Sequence, residues 1–203
     1  ICVGASTTLT ANGGSGFTYL WSNGATTQAI TVSPSATTTY TVSVTNAGGC
    51  TSASVASQVI TVNPLPVATI TASASAVCVG TSATLTASAG SSYLWSTGAT
   101  TAAITVTPTS TTSYSVTVTN ANGCSATSAV TTIGVNPLPV VAAGNDATIC
   151  AGSSTSLVAS GAATYVWSPS TGLSATNTAS VTANPSATTT YTVTGTDANG
   201  CVN

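Results

Sequence analysis

The feature that most constrains this chain is a long internal repeat. Trp occurs at Trp21, Trp95 and Trp167, spaced 74 and 72 residues apart, and a Tyr stands two positions before each, at Tyr19, Tyr93 and Tyr165. A period of that length is the size of a small domain. The surrounding text returns with it: ICVGASTTLTA, VCVGTSATLTA and ICAGSSTSLVA upstream, then TTTYTVSVTNAGGC, TTSYSVTVTNANGC and TTTYTVTGTDANGC downstream. Three homologous copies follow, spanning 1–62, 67–135 and 140–203. The segments between them, 63–66 and 136–139, both read Asn-Pro-Leu-Pro. Proline fixes φ and has no N–H to donate, so these are expected to be short, fairly stiff connectors. Copy one begins at Ile1-Cys2 without the VATITAS text that opens copy two at Val67, and copy three stops at Cys201-Val202-Asn203. Copy one is therefore expected to lack its first strand and copy three its last. Either a longer array continues in both directions, or neighbouring molecules supply those strands.

Within copy two, apolar residues alternate with small polar ones, the period of a half-buried strand. Ala83, Leu85 and Ala87 share one face; Tyr93 and Trp95, Ile104 and Val106, Tyr114, Val116 and Val118, then Ile133 and Val135 continue the inward set. Asn23-Gly24, Asn122-Gly123 and Asn199-Gly200 fall between alternating runs as turn signals. Thr, Val, Ser, Tyr and Ile favour strands, and no Glu- or Lys-bearing amphipathic run argues for helix. The expected class is all-β, with short strands spaced as in a β-sandwich.

Charge narrows the function. Lys, Arg and His are absent, and Asp146 and Asp197 are the only acids, giving a net charge of −2. General acid–base catalysis needs a positioned proton carrier, and a hydroxyl nucleophile needs a base beside it. The expectation is no enzyme activity and no catalytic residue. Nucleic acid is excluded as a partner because nothing can neutralise phosphates. Two Asp are too few carboxylates to cage calcium, and no cofactor is expected. No apolar run approaches the ~18–20 residues of a membrane span, and no signal-peptide pattern opens the sequence.

A Leu in the second strand, a Trp in the third and a Tyr opening a late strand resemble the immunoglobulin-like superfamily. Where antibody domains carry their inter-sheet disulfide, the matching positions hold Leu9, Leu85 and Leu157 with Val42, Val116 and Val193. The text Tyr-x-Trp-Ser-x-Gly-x-Thr-Thr, with the later Thr-Tyr-Thr-Val and Asn-Gly-Cys, is closer to the PKD-like and Ig-like repeats of large secreted proteins of Bacteroidota, including gliding-motility-type surface adhesins. This resemblance implies a tandem sandwich array and is weak on activity, since such repeats serve adhesins, fibres and spacers of secreted hydrolases alike.

Each copy carries two cysteines: Cys2 and Cys50, Cys78 and Cys124, Cys150 and Cys201. Without His or CxxC spacing, disulfides are favoured over metal, which implies an oxidising compartment, extracellular or at a cell surface. Pairing within each copy is preferred, because each copy holds a complete pair. The alternative is a stagger, Cys2 with Cys124 and Cys78 with Cys201, since a sandwich places the two turns at opposite ends, too far apart for a disulfide.

Each Trp is either a sugar-stacking platform or, as preferred, a core residue with Tyr40, Tyr114 and Tyr191. Leu20, Leu94 and Val166 point the other way and are the candidate contact surface. Thr39, Thr41, Ser43 and Thr45, repeated at Ser113 to Thr119, form an outward ladder expected to be ordinary exposed strand rather than an ice- or glycan-binding array. With so little charge to guard strand edges, self-association into filaments is expected, through this chain or further copies of the repeat. The leading expectation is an extracellular fibre or adhesin stalk. The alternative is a spacer or carbohydrate-binding region of a secreted polysaccharide-degrading enzyme, with surface glycans as partners.

Overall fold

The computed structural model describes residues 1–52 and 56–203. They hold 18 strands and no helix, so the chain is all-β. Copy one contributes β1 (Thr7–Thr10), β2 (Thr18–Trp21), β3 (Ala29–Val32), β4 (Thr38–Thr45) and β5 (Ala56–Ile60). Copy two contributes β6 (Ile70–Ala72), β7 (Ala76–Cys78), β8 (Ala83–Ala87), β9 (Ser92–Trp95), β10 (Ala103–Val106), β11 (Thr112–Tyr114), β12 (Val116–Thr119), β13 (Ser125–Thr127) and β14 (Thr131–Asn136). Copy three contributes β15 (Thr155–Val158), β16 (Thr164–Ser168), β17 (Ser180–Ala183) and β18 (Thr192–Thr196).

Two compact units emerge. The first comprises Ile1–Thr71, Thr86–Ala102 and Ser115–Ala129, and the second Ala72–Leu85, Ala103–Tyr114 and Val130–Asn203. In the first, a β1–β3 sheet and a β2-β4-β5 sheet enclose Ala11, Tyr19, Trp21, Ile30, Val32, Val42 and Ile60. Alternation explains the selection: β2 and β3 both run exposed, buried, exposed, buried, so every second side chain enters the space between the sheets. A third sheet of this unit, ordered β13-β12-β9, sets Trp95 opposite Val116 and Tyr93 opposite Val118.

In the second unit, β15 pairs with β17 and β16 with β18, around Ala159, Tyr165, Trp167 and Val181. Beside them lies the sheet β11-β14-β7, in which β7 runs parallel to β14 and Cys78 faces Asn136. The opening strand of copy two is thus split. Its first part, β6, joins the edge of β8, and its second, β7, flanks the last strand. Sheets packed around buried Trp side chains make the fold an immunoglobulin-like β-sandwich, and copy two carries a divided opening strand.

Candidate functional site

The recurring local devices are three, and each grows from the repeated text. The first fixes the Trp. Trp21, Trp95 and Trp167 are 5%, 2% and 3% exposed, and each indole N–H donates to a backbone carbonyl: Thr27 at 2.8 Å, Thr101 at 2.8 Å and Thr178 at 3.0 Å. A buried indole satisfied in this way is a packing element and offers no face to a sugar. Tyr114 is buried with them, whereas Tyr40 and Tyr191 are half-buried against their cores. The residue between Tyr and Trp points outward, so Leu20, Leu94 and Val166 stand 58%, 56% and 59% exposed.

The second device is a turn ending on the late cysteine. Asn120 Oδ1 accepts the N–H groups of Asn122 and Cys124, both at 3.0 Å, and Asp197 Oδ1 accepts those of Asn199 and Cys201, both at 2.8 Å. Asn46 Oδ1 does the same for Gly48 at 2.9 Å and Cys50 at 3.0 Å. Gly49, Gly123 and Gly200, at φ 80°, 76° and 80°, occupy the left-handed position that lets the chain turn back before the cysteine. The third device is the turn after the early cysteine. The N–H groups of Ala5, Thr81 and Ser153 donate to the carbonyls of Cys2, Cys78 and Cys150 at 3.0, 2.9 and 3.0 Å.

These turns meet at the connectors, where the disulfides lie. Cys2 bonds Cys124 and Cys78 bonds Cys201, with Cα–Cα distances of 5.5 and 5.6 Å. The within-copy pairing of Cys2 with Cys50, Cys78 with Cys124 and Cys150 with Cys201 is therefore corrected to the stagger, and Cys50 and Cys150 are exposed free thiols. The reason is visible in copy one. Cys2 bridges Asn63 beyond the end of β5, while Cys50 sits in the turn before β5 begins. The five residues of β5 alone span about 17 Å, more than twice the ~7 Å Cα–Cα reach of a disulfide.

Each joint has further ties. Val3 N–H donates to the Asn63 carbonyl at 3.0 Å, Asn63 N–H to the Ile1 carbonyl at 2.8 Å, and the Asn120 amide nitrogen to the Pro64 carbonyl at 2.9 Å. At the second joint, Val79 N–H donates to the Asn136 carbonyl at 3.0 Å and the Asn203 amide nitrogen to the Pro139 carbonyl at 2.8 Å. Cys124 and Cys201 are fully buried there. The connectors are thus held on both flanks by hydrogen bonds as well as by proline. Sequence reasoning overlooked Asn46, Asn120 and Asp197. Their signal was in the text, an Asx four residues before each late cysteine with Gly directly preceding it.

The outward Thr ladder is cross-bonded. Hydroxyl pairs join Ser113 to Thr132 at 2.8 Å, Thr117 to Thr127 at 2.9 Å, Thr119 to Ser125 at 2.9 Å and Thr45 to Thr51 at 3.0 Å. Two open grooves adjoin the outer copies. One, of about 490 Å³, lies along β1 and β5 over Trp21 and Tyr40. The other, of about 570 Å³, runs between Ala143–Ala151 and Pro185–Tyr191 over Trp167. Among the described residues, no three His, Cys, Asp or Glu side chains gather to hold a metal, and no helix is long and apolar enough to cross a membrane.

No protein-family model and no curated protein sequence matches the chain. Among solved structures, it is similar to a 1.5-MDa bacterial ice-binding adhesin at 17% identity and TM-score 0.38, covering 99% of this chain and 88% of that one. It is similar to Drosophila OTK extracellular domains 3–5 at 11% identity and TM-score 0.35, covering 100% and 90%. A third is the Bacteroides ovatus SGBP-B of a mixed-linkage glucan utilization locus, solved with a mixed-linkage heptasaccharide, at 19% identity and TM-score 0.26. The alignment covers 98% of this chain, which spans 60% of that protein's length. The immunoglobulin-like assignment rests on the strand pairing itself.

Proposed function

We propose that this chain is a structural, non-enzymatic element of an extracellular fibre or adhesin stalk. The observation that carries the reading is the disulfide stagger: each bond ties one copy to the next across its connector, with loops of 122 and 123 residues. A bond inside a copy would stabilise that copy alone. A bond across a connector also resists separation of neighbours, which is the demand on a stalk. A disulfide closing a long loop typically adds about 2–4 kcal/mol by restricting the unfolded chain. Such bonds persist outside the reducing cytosol, which supports an extracellular setting.

Self-association follows from the surface. The net charge is −2, no Lys or Arg interrupts a strand edge, and Leu20, Leu94, Val166, Val59 and Val67 are exposed. Little repulsion opposes lateral contact through the outer sheet faces. The absence of Lys and Arg also leaves no tryptic site, a property suited to material that persists among proteases. Negative-stain electron microscopy with sedimentation velocity tests the reading. Rods or filaments at neutral pH support it. A strictly monomeric chain at high concentration that turns over a polysaccharide overturns it.

A further inference from the structure

Copies one and two carry the same edge strand, and copy three shows what fills it. β3 and β10 both read Ala-Ile-Thr-Val, and β17, Ser-Val-Thr-Ala, is their counterpart. Each is anchored to its sheet in the same phase: the N–H of Ala11 donates to the Gln28 carbonyl, that of Ala87 to Ala102 and that of Ala159 to Ala179. In the antiparallel register of β1 on β3, Leu9 and Ile30 therefore exchange backbone bonds, and the N–H and C=O of Thr31 point away from the sheet. Thr105 in β10 and Thr182 in β17 stand at the same position.

In copy three that outward position is taken. From Trp167 to Val181 is 14 residues, against 9 from Trp21 to Ile30 and 9 from Trp95 to Ile104. The extra length folds back antiparallel on β17, where Leu173 bridges Ala183. Ser174 N–H donates to the Thr182 carbonyl at 2.8 Å, Thr182 N–H to Ser174 Oγ at 2.9 Å and Asn184 N–H to the Gly172 carbonyl at 2.7 Å. Among the described residues, β3 and β10 have one neighbouring strand each, β1 and β8. The outward groups of Thr31 and Thr105 thus face an open edge. In the middle copy β6 occupies the other edge of the same sheet, so β10 is open even where the opening strand is present.

Soluble sheets guard such edges with Lys, with an inward charge or with Pro inside the strand. Neither β3 nor β10 has any of these. Pro34 and Pro108 lie just beyond their ends, and the Thr27 hydroxyl donates to the Ala29 carbonyl at 2.7 Å, so the open stretch is short and centred on the Thr. A stretch of this kind is self-complementary when antiparallel, because the central residue can exchange both backbone bonds with its own counterpart.

We propose that β3 and β10 add antiparallel to the same edges of a second copy of this chain, with Thr31 or Thr105 opposite Thr31 or Thr105. This is the strand addition that copy three supplies to itself. Backbone groups carry the recognition, and neither edge brings a charge that would have to be desolvated. Two such edges per chain permit assembly beyond a dimer. The proposal deepens the self-association reading, on which it rests, by naming its backbone contact.

Thr31 and Thr105 are exposed, and in the pair their side chains lie directly across from each other. The chain of 203 residues is prepared with Thr31→Lys and Thr105→Lys together, and separately with Thr31→Glu and Thr105→Glu together. Sedimentation velocity at low salt is expected to show each variant associating about tenfold more weakly than wild type, because like charges then face each other across the strands. An equimolar mixture of the two variants is expected to regain at least wild-type association. Near-UV dichroism of the Trp residues, unchanged in both variants, shows that their cores are kept. Variants that each associate as tightly as wild type, or a mixture no better than either alone, overturn the proposal. If Leu94→Ser weakens association in that case, the self-association reading survives through the outer faces. A wild-type chain that stays monomeric overturns both.

Discussion

The middle copy and its neighbours are written in nearly the same text, yet their matching residues are buried to different depths. Leu85 and Val116 are both 0% exposed. Their counterparts Leu9, Leu157 and Val193 are only half-buried, and Val42 alone matches the middle copy closely. Tyr114 is buried while Tyr40 and Tyr191 are half-exposed to the grooves they line. The difference lies in the flanking strands. β8 sits between β6 and β10, whereas β1 pairs with β3 alone among the described residues; β11 has β14 beside it, whereas Tyr191 borders the copy-three groove. Alternation selects the inward face, and the neighbouring strand decides how much water is removed from it.

The largest expected effect sharpens that contrast. Leu85→Ala should cost about 2–5 kcal/mol in a denaturant titration, and Leu9→Ala clearly less, because its site is already open to water. Equal losses would break the comparison. Removing one joint, with Cys78→Ser and Cys201→Ser together, should cost about 2–4 kcal/mol and show as increased amide exchange along β7 and around Asp197.

A smaller effect is expected at Gly195, which stands where the middle copy has Val118. A Cβ there would lie 2.5 Å from Val141 Cγ2 and 2.6 Å from Ala162 Cβ, so Val141 has taken the room of the missing side chain. Gly195→Val should destabilise by about 1–3 kcal/mol, with partial recovery when Val141→Ala is added. Smallest of all, Leu94→Ser should change stability by less than about 0.5 kcal/mol while lowering association in sedimentation. A large stability loss there would mean that the outer face is already packed within the chain.

Much of this was legible in the sequence. Tyr-x-Trp repeated three times located β2, β9 and β16 and the core, and the alternation around Leu85, Ile104 and Val116 placed the middle copy's inward face. The outward setting of Leu20, Leu94 and Val166 followed from the same period. Two things were not legible. Pairing of cysteines depends on which turns the topology brings together, and one complete pair per copy argued for the wrong neighbours. The depth of burial at Tyr40 and Tyr191 depends on strands from elsewhere in the chain, which a local pattern does not encode. The inserted segment of copy three belongs here too: Leu173 and Ala175 pack on its core from a loop that has no counterpart in the other copies.

The central claim is that the copies are laced across their connectors, and disulfide mapping of the unreduced chain tests it most directly. Digestion must use pepsin or chymotrypsin, since no Lys or Arg is present. The account predicts peptides joining Cys2 to Cys124 and Cys78 to Cys201, with Cys50 and Cys150 open to alkylation. Peptides joining Cys2 to Cys50, Cys78 to Cys124 and Cys150 to Cys201 would contradict it.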